Sequence, residues 1–227
     1  MERSEQIMYL KTFITETRFN RFISVLQNRT RYVSIVLEDV FQGHNASAVL
    51  RSCDCFGIQD VYLIENRNSF KVNDEVAMGS SQWLSIYRYK EPGINNTSWC
   101  FDTLKKRGYR IVGTSPHAKA VSIQELSIDT PLALVFGAEK EGLSEYAMRH
   151  VDESVYIPMY GFTESFNISV SAALCMYELS RRLRASDIDY HLSENEKEGI
   201  LLEWLKHSIP DAERILERMN TRTNTNL

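Results

Sequence analysis

Apolar residues at Phe19, Phe22, Ile23 and Leu26 recur at the i, i+3, i+4, i+7 spacing of a helix with one buried face, and the arginines of this segment fall on its other faces. The pattern predicts a basic amphipathic helix, preceded by another around Ile7 to Ile14. From Tyr32 the texture changes to short β-branched runs, YVSIVLED, DVYLIE, LSIYRY, YRIVGTS, PLALVFG and SVYIP, separated mostly by helix-like segments. That alternation predicts an α/β domain with a largely parallel sheet. Helices are expected over His44 to Phe56, Asn95 to Arg107, Ser144 to His150 and Glu164 to Arg184, the last with Ile168, Ala172, Cys175, Met176 and Leu179 on one buried stripe. Beyond Arg184 the chain turns polar. Ser193 with Glu196 then makes a capping box for a helix holding Leu201, Trp204 and Leu205. A final helix starts near Pro210, with Ala212, Ile215, Leu216 and Met219 on one face, and TRTNTNL is expected to fray. Three segments follow: a basic helical extension over 1–31, the α/β domain over 32–184, and a second helical extension over 185–227.

At 227 residues and 43% hydrophobic content the chain can bury one substantial core with terminal additions. No run approaches the roughly 18 apolar residues of a membrane span, and MERSEQIMYLK lacks the apolar region of a secretory signal. A soluble, cytoplasmic protein with no membrane partner is expected. Cys53, Cys55, Cys100 and Cys175 have no C-x-x-C spacing, and two residues apart on a helix Cys53 and Cys55 point to different faces, so reduced thiols are expected. The net charge of −4 argues against indiscriminate nucleic-acid binding. It is unevenly spread: residues 1–31 hold six basic and three acidic groups, +3, which leaves −7 for the rest.

In an open α/β sheet, ligands collect beyond the carboxyl ends of the strands. Three such ends stand out. The first strand leads through DVFQG into HNASAVLRS, with Asn45 near a helix start and Arg51 six residues on. The fifth run ends in FGAEKEGLS, with Gly137, Glu139 and Gly142 in a tight connection. The sixth ends in IPMYGFTESFNIS. Each residue has a plainer use: Asn45 as an N-cap, Arg51 as a solvated helix residue, Glu139 in a charged turn, Gly137 or Gly142 as a source of positive φ, and Ser165 or Asn167 as a helix cap. DVFQGHN offers a single glycine where a dinucleotide site needs several, and neither a Walker motif nor a G-x-S-x-G elbow occurs. His44, His117, His150, His191 and His207 form no metal-binding spacing, so no metal is expected.

Together the three strand ends resemble the motifs of the SPOUT methyltransferases, of the TrmH type that methylates ribose 2′-hydroxyls of RNA. Asn45, Ala48 and Arg51 match N-x-x-A-x-x-R, Phe136 to Ser144 match F-G-x-E-x-x-G-L-S, and IPMYGFTESFNISVSAA matches I-P-M-x-G, S-x-N and S-V-x-A-A. The resemblance covers about Tyr32 to Leu183. Phe166 stands where Leu is common, and Ser52 where Thr is frequent.

The resemblance implies an α/β fold with a C-terminal deep trefoil knot and a homodimer whose sites draw on both subunits. S-adenosylmethionine would lie in the knot, its adenine against the loops after Gly113, Gly137 and Ile157, with Thr114, Met159, Ser165, Asn167 and Ile168 completing the site. Gly161 would let the last loop turn back. Arg51, Asn45, Glu139, Ser165 and Asn167 form the implied catalytic set. A guanidinium stays protonated at neutral pH and makes a poor base, so Arg51 either acts as one in an unusual setting or holds a phosphate and the forming alkoxide. Asn45 is expected to position Arg51, and Glu139 to order nearby backbone or arginine groups. The implied substrate is tRNA at the D-loop guanosine (guanosine-18). Ribosomal RNA, or a non-catalytic RNA-binding role on the same fold, are the competing readings. Arg18, Arg21, Arg29 and Arg31, with Arg181, Arg182 and Arg184, are candidate phosphate contacts; ordinary solvated helix faces would account for them as well.

Overall fold

The structure is a computed structural model, and it describes residues 2–69, 73–115 and 120–225. His117 and the connection around it lie outside the described residues. The chain divides into two compact units, Met1–Arg29 with His191–Leu227, and Thr30–Tyr190.

In chain order the elements begin with α1 (Arg3–Lys11), α2 (Glu16–Leu26), β1 (Val33–Glu38), α3 (Gly43–Phe56), β2 (Asp60–Ile64), α4 (Asp74–Ala77), a 3-10 turn at Ser80–Trp83, β3 (Ser85–Tyr89) and α5 (Asn96–Lys106). They continue with β4 (Arg110–Thr114), β5 (Val121–Ser122), β6 (Leu132–Phe136), α6 (Glu145–His150), β7 (Glu153–Tyr156), α7 (Ile168–Arg184), α8 (Glu194–Ser208) and α9 (Ala212–Thr225). All described strands join one parallel sheet in the order β3-β2-β1-β6-β4-β7-β5. Ile35 of β1 faces Val61 on one side and Leu134 on the other. Covered on both faces, β1, β2 and β6 are buried at every position, which is why they read as unbroken apolar runs.

One apolar layer packs β1, β2 and β6 against α3 and α7, through Val49, Leu50 and Cys53 on α3 and Ala172, Met176 and Leu179 on α7. The other packs the opposite sheet face against α5 and α6, through Cys100, Phe101, Leu104 and Ala147. Each fully buried Leu or Met side chain here contributes about 1.5–3 kcal/mol of transfer free energy. Cys53 is buried and Cys55 exposed, as their two-residue spacing on a helix requires, and all four cysteines are free thiols.

Several boundaries differ from expectation for local reasons. The last helix of the α/β domain starts at Ile168 rather than Glu164, because Asn167 caps it by accepting the Ser169 N–H. α3 is capped by Gln42, so Asn45 sits inside its first turn and is not an N-cap. β5 is only two residues long, paired to β7 through Val121 with Val155 and Ser122 with Tyr156, too short to leave a periodic signal. At the C-terminus, α9 continues to Thr225 through the segment expected to fray.

In the terminal unit, Leu10, Phe22, Leu26, Trp204 and Leu205 are buried, with Phe22 edge-on to Trp204 at 5.7 Å. Ser193 and Glu196 form the expected capping box of α8.

Candidate active site

Beyond the carboxyl ends of β4, β6 and β7 lies a cavity of about 400 Å³. Thr114, Gly137, Ile157, Met159, Ser165, Asn167 and Ile168 all line it, from segments the sequence separates by up to about a third of the domain. Its walls mix apolar side chains, Ile157, Met159, Phe166 and Ile168, with Glu139, Ser165, Asn167 and Ser171. Cys175 also lines it, its thiol pushed up to about 12 by burial and therefore inert as a nucleophile.

Gly137 makes room at the cavity wall. A Cβ there would lie 2.1 Å from the carbonyl carbon of Gly142 and 2.3 Å from the Leu143 nitrogen. Backbone cannot give way by that much, so the position needs glycine for close approach rather than for positive φ. Gly142, at φ 69, supplies the positive φ of the same turn. Ala138 and Gly142 exchange both backbone hydrogen bonds, at 3.0 and 2.9 Å, which closes the turn that carries Glu139.

Glu139 is the hub of a polar network. Its Oε2 accepts the Phe41 N–H at 3.1 Å, and its Oε1 accepts the Gln42 N–H at 3.2 Å and Asn45 Nδ2 at 2.9 Å. Burial alone would raise this carboxyl; the bonds from Asn45, from its own N–H and from Phe41 and Gln42 outweigh it and hold the group below the ordinary carboxylate range. Asn45, almost fully buried, accepts on Oδ1 from Asn167 Nδ2 at 3.2 Å. Asn167 in turn accepts on its own Oδ1 from the Ser169 N–H and hydroxyl, at 2.8 and 2.6 Å. Asn167 is thus both a helix cap and a site residue. Glu139 orders backbone and Asn45, and pairs with no arginine among the described residues.

Arg51 lies elsewhere. It is exposed on α3, lines no part of the cavity, and makes no hydrogen bond or ion pair among the described residues. Asn45 binds Gln42, Glu139 and Asn167, and no bond joins it to Arg51. Two glycine expectations are also corrected. Gly113 does not line the cavity; a Cβ there would press on Leu143 at 2.9 Å and Val151 at 3.1 Å, so its smallness serves packing. Gly161 has ordinary φ and open space around it, so the loop turns without needing glycine there.

The arginine surface is smaller than the sequence suggested. Arg29 is buried, its guanidinium 5.3 Å from the Trp204 ring centre, and is unavailable to a phosphate. Arg31 pairs with buried Asp60 at 3.0 Å. Arg182 donates to the carbonyls of Ile123 and Leu126, and Arg181 pairs with Glu178. Arg18 and Arg21 remain exposed, Arg18 donating to Ser208.

Sequence reasoning missed Glu38 and Asp39, the last residue of β1 and its successor, both buried. Glu38 accepts from the Thr97 and Ser144 hydroxyls and from the Ser144 N–H, tying β1 to the turn after β6 and to α5. Asp39, at φ 51, accepts the N–H groups of Asn66, Arg67 and Asn68. A charged pair ending an apolar strand run is the only trace of this in the sequence.

Residues 32–177 match the SpoU rRNA Methylase family. The chain is 41% identical over 217 residues, 96% of its length and 97% of the other's, to tRNA (guanosine(18)-2′-O)-methyltransferase of Borreliella burgdorferi. Among solved structures, the A. aeolicus TrmH/SpoU tRNA modifying enzyme superposes with a TM-score of 0.76 at 29% identity, covering 86% of this chain and 98% of that one. The SpoU methyltransferase AviRb from Streptomyces viridochromogenes, in complex with AdoMet, shares the fold with a TM-score of 0.60 at 22% identity, over 72% of this chain and 65% of its own.

Proposed function

The chain belongs to the SpoU rRNA methylase family, and on that premise we propose that it is a tRNA guanosine 2′-O-methyltransferase acting at guanosine-18 of the D-loop in the cytoplasm. The observation that carries this reading is the cavity beyond β4, β6 and β7, walled by the second and third motif segments and joined to the first through the Glu139–Asn45–Asn167 network. The residues present fit S-adenosylmethionine: the apolar side chains of Ile157, Met159 and Ile168 and the polar groups of Ser165 and Asn167 suit an adenosine carrying a charged chain. When bound, the cofactor supplies an electrophilic methyl group on sulfur.

Thr114, Gly137 and Ile157 would hold the adenosine, while Met159, Ser165 and Ile168 enclose the remainder. Glu139 fixes the loop of Phe41 and Gln42 and the amide of Asn45, so that Asn45 and Asn167 keep one relative geometry. The ribose 2′-oxygen would be the acceptor of that methyl group, and its hydroxyl proton would leave to water or a neighbouring phosphate. Arg51 stabilises the developing negative charge on that oxygen and the adjacent phosphate.

Arg51 reaches the reaction in a homodimer with a deep trefoil knot at its interface. Supporting this is the outer face of α7 and the residue before its cap, where Phe166, Val170, Leu174 and Tyr177 are all exposed at helical spacing. Contiguous exposed apolar residues of this kind mark an interaction surface. The second copy covers them and contributes Arg51 to its neighbour's cavity. Arg18 and Arg21 supply tRNA phosphate contacts.

The test is transfer of labelled methyl from S-adenosylmethionine to unmodified tRNA and ribosomal RNA, with nuclease mapping of the product and Arg51→Ala as control. A 2′-O-methylated D-loop guanosine, absent with the variant, is expected. Methylation of ribosomal RNA alone overturns the substrate, and RNA binding without transfer overturns the enzyme.

A further inference from the structure

A second cavity, of about 390 Å³, opens on the other side of the turn that walls the first. Asp39, Arg67, Asn95, Thr97, Glu141 and Tyr146 are among its lining residues, and Glu141 lines both cavities. Across it Arg67 Nη1 meets Glu141 Oε2 at 2.7 Å, with both side chains more than half exposed. An ion pair so placed contributes only about 0–1 kcal/mol to stability. Nonetheless both partners stand on rigid supports. Asp39 accepts the N–H of Arg67 and of its neighbours Asn66 and Asn68, with its Oδ2 also 3.5 Å from Arg67 Nε, and Glu141 rides the turn closed by Ala138 and Gly142. Glu141 Oε1 has no partner among the described residues, and neither does the Asn95 NH₂ group.

Read along the pair, the carboxylate offers two acceptors and the guanidinium a donor beside them. Guanine is the one standard base whose Watson–Crick edge presents the complement, the N2 and N1 donors followed by the O6 acceptor. Adenine offers an acceptor at N1, while uracil and cytosine each bring an acceptor where the carboxylate needs a donor. Extruded RNA bases are read on this edge and packed against aromatic side chains, and Tyr146, backed by His150 at 3.9 Å between ring centres, supplies an aromatic wall. We propose that the cavity beside the Arg67–Glu141 pair receives the guanine base of the target nucleotide, Glu141 accepting from N1–H and N2–H and Arg67 donating to O6. The proposal rests on the methyltransferase reading above and adds the groups that select the base. The shared wall at Glu141 puts this cleft next to the cofactor cavity, as a base attached to the reacting ribose requires.

The test uses the full-length protein and ligated tRNA transcripts carrying guanosine or inosine, which lacks the N2 amino group, at position 18. Wild type should lose roughly tenfold or more in kcat/KM on inosine, the scale of one hydrogen bond to a charged group. Glu141→Gln should lower transfer to guanosine and bring the guanosine-to-inosine ratio close to one. Arg67→Met, whose changed residue does not line the cofactor cavity, should lower kcat/KM on guanosine while S-adenosylhomocysteine affinity by calorimetry stays at the wild-type value. A wild-type ratio in Glu141→Gln, or wild-type kinetics in Arg67→Met, overturns the proposal. Fluorescence anisotropy of both transcripts on protein saturated with S-adenosylhomocysteine gives the same comparison without turnover. Failure of wild type to methylate the guanosine transcript thus counts against the activity, while equal binding of the two transcripts counts against the cleft.

Discussion

Asn167 and Asn45, 122 positions apart, meet side chain to side chain, the Asn167 amide donating to the Asn45 carbonyl oxygen at 3.2 Å. This bond fixes the first turns of α7 and α3 against each other, and Glu139 locks the second of them through the other end of the Asn45 amide. Replacing Asn45 with Ala leaves Asn167 and Glu139 each short of a partner in a partly buried setting, at a cost of about 1–3 kcal/mol. Urea denaturation should register that loss, together with a fall in methyl transfer. An Asn45→Ala protein as stable and as active as wild type would show that the network is ornamental.

Arg51 gives the opposite profile. Exposed and without a side-chain partner among the described residues, it adds little to folding, so Arg51→Ala should stay within about 0.5 kcal/mol of wild type while methyl transfer collapses. Arg51→Lys keeps the charge but loses the planar fork. Near-normal turnover by that variant would rule out bidentate contact with phosphate.

The two loop glycines separate cleanly. Gly137→Ala drives a Cβ into the Gly142 backbone and should abolish S-adenosylmethionine binding, whereas Gly161→Ala meets open space and should bind as wild type. Calorimetric titration of both variants checks the pair. Equal affinities would mean that the turn after β6 is softer than its hydrogen bonds imply.

Acid should loosen the site through Glu139. Its carboxyl is held below the ordinary value of 4.5 in the folded protein, so the stabilisation it gives is complete above that pH and is lost as the pH falls through the lower folded value. Thermal melts of wild type and Glu139→Gln from pH 7 to pH 3 should show a gap at neutral pH that closes below about 4.5. A gap that persists into acid would mean that the carboxylate charge is not what the network uses.

Placing a charge on the outer face of α7 tests the dimer. Leu174→Glu alters a side chain already exposed in the single chain and should leave the fold intact, yet prevent association with a second copy. Analytical ultracentrifugation would then find a monomer without methyl transfer. A dimer of normal activity would move the interface elsewhere.

The strands and the buried stripe of α7 were legible because unbroken apolar, β-branched runs and period-3.6 burial leave marks in single segments. That Gly137, Asn167 and Ile168 would meet at one cavity was legible through motif resemblance, since they sit at fixed offsets from strand ends. What stayed hidden depends on partners far away in sequence. Nothing local in Arg29 says that Trp204 will cover it, so a basic helix face looked more open than it is. Glu38 and Asp39 looked like a polar strand end because their partners, Thr97 in α5, Ser144 at the cap of α6 and Asn66–Asn68 after β2, come from three separate segments. Gly113 and Gly161 illustrate the same limit: a motif glycine does not say whether a side chain, a backbone or nothing occupies the space beside it.

The Thr30 hydroxyl donates to the Tyr190 carbonyl at 2.5 Å, and these residues are the first and last of the catalytic unit. Chain entry and chain exit therefore share one seam. Residues can thus be added to or removed from the segments before Thr30 and after Tyr190 without rerouting a strand of the sheet.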